Sequence, residues 1–397
     1  VLFNQNLSAT TPKDDILHDK PILVKQLIVL SLEMLLAFPL GLALTRFNSG
    51  GIAWLFGGIA AGAMVFQGCR FYDYSPKQNR TARKVGMALV GLNVGFAIAH
   101  GNFASVVSAI PIFAVLTFFL LLCGSLIGYF YSRLSQTNIL TAMLATVPGG
   151  VGPMSSIAAD YNKNVTLVAL VQSLRVTTVV LLIPLLARTI SGTQIIPQTF
   201  NLSNALLNLD LSHLGLLFFA LLIGGLGIYL ATSLKIPASD FFGALVIGIA
   251  FNPLVSSLPF VDAINFSPPP LVNLIGQMLL GITIGEYWGK KPTLDKKIIG
   301  YTFLSVAMTL VAGLIAATLA WELTSWDWLT CLLVTAPGGS AEMILVALAL
   351  DHNVEIVTGG HLVRLIAINA SLPLWVFLFR HLDNQASEPA EVFEQKC

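Results

Sequence analysis

Two nine-residue stretches, TVPGGVGPM at 146–154 and TAPGGSAEM at 335–343, each set a proline and two glycines inside an otherwise apolar segment. Pro148 and Pro337 each remove a backbone donor and end an incoming helix. Gly149, Gly150, Gly338 and Gly339 let the chain turn sharply and let another group come close to the backbone. An outgoing helix then starts near Val151 and Gly152 in one stretch and near Ser340 in the other. Its first N–H groups are free and it presents the positive end of its dipole. The chemistry on offer is the holding of an anion by backbone amides. At membrane depth such a backbone is tolerated only when buried in protein or lining a wet cavity. A break used twice therefore points to a binding site with two halves.

The segment after each break adds side chains. Arg175 and Arg364 lie about ten residues into their helices, roughly 15 Å deep at 1.5 Å per residue. An arginine there is costly and must face a partner or water. Gln172 and His361 each stand three positions earlier, on the same helix face as the arginine that follows. Two readings stay open for each arginine: direct contact with a solute, or a tie to the orphan carbonyls of its hairpin. A guanidinium has five donors, so the two can coexist. Glu342 stands in the first turn of the second outgoing helix, where the first copy has Pro153. Glu342 and His361 are the candidates for a coupling proton or cation, since imidazole titrates near neutral pH. The plainer alternatives are a first-turn acid favoured by the helix dipole and a neutral hydrogen-bonded core imidazole. Asn93 is a further candidate for the cavity wall. Glu33 and Glu286 are expected to reach an interface or a partner, and Glu322, Asp327, Asp351 and Glu355 to sit in solvated loops.

The elements that must position these residues are membrane helices. Hydrophobic residues make up 55% of the 397 and charged residues only 10%, against roughly a quarter charged in soluble domains. The predicted fold class is an all-α polytopic membrane protein in a lipid bilayer. A net charge of +1 gives no reason to expect a nucleic-acid partner. Cys69, Cys123, Cys331 and Cys397 lack metal-site spacing and the histidines are scattered, so neither a metal nor a cofactor is expected. Apolar segments run at about 26–47, 50–69, 85–99, 104–131 and 165–187, then again at 213–234, 239–258, 271–287, 298–321 and 354–379. The chain matches itself at an offset of 189 around the breaks, so Thr141, Arg175 and Pro184 fall on Thr330, Arg364 and Pro373. GLNVG at 91–95 faces GITIG at 281–285, which sets Asn93 against Thr283. The organisation is an N-terminal tail (1–25), a first repeat (26–188), a polar linker (189–212), a second repeat (213–382) and a C-terminal tail (383–397).

Charge placement sets an expected topology. The loop 70–84 holds Arg70, Lys77, Arg80, Arg83 and Lys84, and the loop 290–297 holds four lysines. Both lie inside only if the two copies are inverted, with five crossings each plus a PGG hairpin that dips in and returns. Only Arg46 and Arg188 then fall outside, and both termini are cytoplasmic.

With PGGSAEM followed by HLVRL, and PGGVGPM followed by QSLRV, the chain resembles the AbrB family of duplicated bacterial membrane proteins. That family is distinct from the DNA-binding regulators of the same name, and the resemblance spans about 27–380. The second copy is closer to the family's PGG-x-x-E-M form; the first lacks the Glu, which excludes a carboxylate role at Pro153. The resemblance implies a polytopic inner-membrane protein, within a family whose labels range from transporter to regulator to ammonia monooxygenase. More distantly, the layout is similar to ten-span inverted-repeat carriers with discontinuous helices, an analogy of fold alone. The expected function is secondary transport of a small organic anion by alternating access, with the protein not an enzyme. A channel is the alternative, followed by a membrane enzyme or a membrane-bound regulator; a homodimer is compatible with all of them.

Overall fold

The computed structural model of the chain describes residues 12–46, 50–74, 76–191, 211–257, 265–289 and 296–394. Side chains are described at 24–46, 51–74, 76–186, 212–257, 265–288 and 296–383. Lys290, Lys291 and most of the polar linker lie outside the described residues. The regular elements among them are all helical. They run as α1 (Pro12–Arg46), α2 (Ala53–Phe71), α3 (Arg80–Ile98), α4 (Phe103–Ser108), α5 (Ile110–Ser135), α6 (Ile139–Thr146), α7 (Val151–Asp160) and α8 (Val165–Ser191). The second half gives α9 (Leu211–Ser233), α10 (Ser239–Ser256), α11 (Pro270–Gly285), α12 (Lys296–Leu323), α13 (Trp328–Thr335), α14 (Ser340–Ala349) and α15 (Val354–Glu394). Short 3-10 turns at Gly50–Ile52 and Glu286–Gly289 complete it.

Seven of these helices hold stretches long and apolar enough to cross a membrane: α1, α5, α8, α9, α10, α12 and α15. The apolar segments of the sequence predict ten crossings. The other three became α2, α3 and α11, which fall below that measure of length and apolarity. α11 has only 16 residues, and α3 begins inside the predicted basic loop, because Asn79 caps it by accepting from the Ala82 amide. Arg80, Arg83 and Lys84 are therefore helical residues.

Glycines explain why such helices stay in the centre. A Cβ on Gly281 would stand 2.1 Å from Leu55 O, and one on Gly285 2.2 Å from Ile59 O, so α11 touches the α2 backbone directly. A Cβ on Gly91 would stand 2.3 Å from Phe241 O, and one on Gly95 2.2 Å from Leu245 O, so α3 meets α10 in the same way. Lipid offers no hydrophobic drive between helices, and close backbone approach lets dispersion do the holding. These approaches recur at the self-match offsets: 91 with 281 and 95 with 285 at 190, 55 with 241 and 59 with 245 at 186. Each half thus supplies one helix to each crossed pair, and α3 and α11 also pack on each other.

Around this centre, α5 packs on α6, and α12 on α13. α8 packs on α6 and α7, as α15 packs on α13 and α14. Each broken pair is therefore held between the helix before it and the helix after it.

Candidate functional site

Each break begins where a short capped helix stops. Asn138 accepts from the amides of Leu140 and Thr141 at the start of α6. Asp327, its match at an offset of 189, accepts from the Thr330 amide at 3.0 Å at the start of α13. Asp327, expected in a solvated loop, is thus part of the hairpin. Burial pushes its carboxyl up, but hydrogen bonds from the Thr330 hydroxyl and amide outweigh this and hold it below its ordinary value. Near the end of each short helix a threonine hydroxyl reaches back to the preceding long helix: Thr146 Oγ1 lies 2.9 Å from Gly124 O and Thr335 Oγ1 3.1 Å from Gly313 O. The same hydroxyls lie within reach of Ala142 O and Cys331 O one turn back.

The chain leaves the helix at Val147 and Ala336, both extended in ψ, and the last carbonyls of α6 and α13 lose their helical donors. Side chains from the following helix replace them. Gln172 Nε2 donates to Leu144 O at 2.8 Å and to Val147 O at 2.9 Å. Arg175 Nη1 donates to Thr146 O at 2.8 Å, and its Nη2 donates to Gln172 Oε1. In the second copy His361 Nε2 faces Leu333 O at 3.0 Å, and Arg364 Nη1 donates to Ala336 O at 3.0 Å. Arg364 Nη2 faces His361 Nδ1, so Nδ1 accepts and the ring proton sits on Nε2. Gln172 has two amide protons and takes two carbonyls; His361 has one and takes one, leaving the other to Arg364. Both pairs are buried, with Gln172 and His361 fully so.

Arg175 and Arg364 are electrostatic neighbours. Among the described residues, neither has a carboxylate within ion-pair distance. Arg175 Nε is buried without a hydrogen-bond partner. Two cations therefore lie within electrostatic range of one another where the two breaks adjoin, and Gly338 packs on Val179, one turn past Arg175.

The outgoing helices differ. Gly150 holds φ +84 and ψ 149, a conformation essentially reserved for glycine, and Gly150, Gly152 and Pro153 are exposed. Gly339 has an ordinary φ of −70. It is crowded instead by Glu342, whose carboxylate folds back over it. Glu342 is 1% exposed and meets Arg83 Nη2 at 3.4 Å. α14 also packs on α3 and on the turn at 50–52. The start of the second outgoing helix is therefore half-buried and charged, while that of the first is exposed and neutral.

Arg83 is the residue that sequence reasoning missed. Sequence alone places it in a basic loop, and the signal for it is that a glutamate at membrane depth with no cation on its own helix needs one from elsewhere. Glu286 is also part of this region, accepting from the Asn79 amide at 3.0 Å, and Tyr287 lies within electrostatic reach of Arg80, Arg83, Glu286 and Glu342.

Asn93 stands away from the PGG turns themselves and shares a cavity with Leu345, Leu348 and Ala349 of α14, the outgoing helix of the second break. The cavity is about 380 Å³ and is also lined by Gly51, Phe96, Asn273 and Gln277. Asn273 Oδ1 and Gln277 Oε1 are both buried without a hydrogen-bond partner. At the offset of 190, Asn273 and Phe96 match Arg83 and Glu286, so this neutral cavity is the counterpart of the charged region.

A family model described as "Transition state regulatory protein AbrB" matches residues 54–380. "Uncharacterized protein YhjN" of Bacillus subtilis (strain 168) is 29% identical over 272 residues, covering 68% of this chain and 71% of that protein. "Putative regulator AbrB" of Escherichia coli (strain K12) is 24% identical over 296 residues, covering 73% of this chain and 80% of its own.

Proposed function

The chain belongs to the AbrB family, and from that premise we propose that it is a secondary transporter of a small anionic solute. The observation that carries the reading is the pair of neighbouring guanidinium groups, Arg175 and Arg364, buried with no acidic partner among the described residues. Two unneutralised cations at membrane depth are costly and favour an anion between them. The half-helix starts at Val151 and Ser340 add backbone amides and positive dipole ends to the same side of the balance. In this reading the two halves are inverted in topology and each break is re-entrant, so that the breaks meet near mid-bilayer. The exposed first half-site and the half-buried second half-site are then the two gates of alternating access. Glu342 is the coupling group, because its ion pair with Arg83 can open. His361 serves the hairpin, with both ring nitrogens already engaged.

A thermal-shift screen of the purified protein against carboxylates, amino acids and inorganic anions tests the substrate class. An anion that raises the melting temperature should then show saturable counterflow in proteoliposomes. Glu342→Gln should keep counterflow while losing the response to an imposed proton gradient. Stabilisation only by uncharged or cationic solutes would overturn the anion reading.

The wording of the family description and of the Escherichia coli relative favours a second reading, a membrane-bound regulator. Ligand binding with no flux in liposomes that contain the purified protein alone would point to it. Conductance without saturation would point to a channel.

A further inference from the structure

Glu33 lies nine residues into the α1 span that starts at Val24, about 14 Å along the helix axis at 1.5 Å per residue. It is fully buried, and neither carboxylate oxygen has a hydrogen-bond partner among the described residues. An ionised carboxylate cannot stay in such a place without compensation; the group neutralises or takes up a cation. α1 packs on α2 and α11. α2 contributes Cys69, an electrostatic neighbour of Glu33, and the exposed Arg70. α11 has no titratable side chain, but the turn that ends it brings in Glu286, a second buried acid close enough for its charge to act on Glu33.

The other half of the molecule supports this juxtaposition independently. At the self-match offsets Glu33 corresponds to Phe219, Glu286 to Phe96 and Val65 to Phe251. Phe96 and Phe219 both pack their rings against Phe251, with centroids at 5.4 and 6.0 Å. One copy thus fills the space with three aromatic rings. In the other copy a buried valine takes the place of the central ring, and the two outer positions are carboxylic acids. Replacing an aromatic core by a valine and a buried carboxyl at Glu33 with no hydrogen-bond partner among the described residues lowers stability unless that carboxyl binds something.

We propose that Glu33 and Glu286 form a buried carboxyl pair that binds and releases a proton, separate from the Arg83–Glu342 ion pair. Glu286 keeps one oxygen on the Asn79 amide, which favours its charged form. Glu33 then holds the proton. Loss of that proton would set two like charges together and drive α1 away from the turn at 286–289. The site goes beyond the transport reading, because proton binding here can be measured with no solute at all.

Dicyclohexylcarbodiimide, which reacts with protonated carboxyls in apolar surroundings, is the probe. The full-length protein in detergent is treated across a pH series, and the adduct on the Glu33 peptide is measured by mass spectrometry. Labelling should be high at acidic pH and fall as pH rises, and Glu33→Gln should abolish it. Glu286→Gln removes the neighbouring charge, so the midpoint should move to lower pH. Unlabelled Glu33, or a midpoint unchanged in Glu286→Gln, would overturn the pair. Protection by sodium chloride but not by choline chloride at fixed pH would overturn the proton in favour of a metal cation. If labelling behaves as expected and no anion is transported, the proton site stands and the transport reading falls.

Discussion

Gln172 and His361 meet the same demand with different numbers of donors, which gives a sharp substitution test. His361→Gln should be tolerated, because the amide can serve Leu333 O and Ala336 O as Gln172 serves Leu144 O and Val147 O. His361→Ala leaves a buried carbonyl and an Arg364 donor without partners, at about 1–3 kcal/mol. Melting temperatures in detergent should fall clearly for the alanine variant and little for the glutamine variant; equal losses would mean that the ring's shape, not its N–H, is what matters. At this scale the sequence was informative in part. The depth of Arg175 and Arg364 and their shared face with residues 172 and 361 were legible from spacing. Whether the arginines brace the hairpin was not, since spacing along one helix says nothing of where a neighbouring carbonyl stops. Arg83 was hidden because its partner lies 259 positions away.

The helices were legible as apolar runs, and the breaks as PGG. What periodicity could not supply was that α2, α3 and α11 are held by backbone contact, although their glycines were visible. Gly281→Ala would force a Cβ to within 2.1 Å of Leu55 O, and a carbonyl in a helix cannot step aside. The cost should be at least that of an overpacked core, about 1–3 kcal/mol. Gly68→Ala, at the open end of α2 with nothing within 4 Å, should be neutral or slightly stabilising, since alanine is the better helix former. Comparing the folded yield and melting temperature of the two variants measures helix contact against intrinsic propensity. Similar behaviour of the two would refute the close approach.

At the scale of the whole molecule, the duplication was readable because both copies keep the break, the arginine and the glycines in step. The inversion was inferred from basic loops, and two lysines of the decisive loop, Lys290 and Lys291, lie outside the described residues. Lys77 and Lys296 still give a test. With the native cysteines replaced, single cysteines at 77 and 296 should react with an impermeant maleimide from the same side of the membrane if the breaks turn back. If the broken segments cross, the two positions should label from opposite sides.

The charged region and its neutral counterpart bear on the molecule's ancestry. Glu33 and Arg83 come from the first half, Glu286 and Glu342 from the second, and their counterparts are Phe219, Asn273, Phe96 and Pro153. A self-pairing of the second half would bury two copies of Glu342 with asparagine in place of the arginine. A self-pairing of the first half would have the arginine and no glutamate to meet it. If a single gene once served as both halves, its products have since diverged into complements, and neither can now stand in for the other. Substitutions at these positions are then inherited as matched sets across the join, and a gene split at the linker would work only when both pieces are made in the same cell.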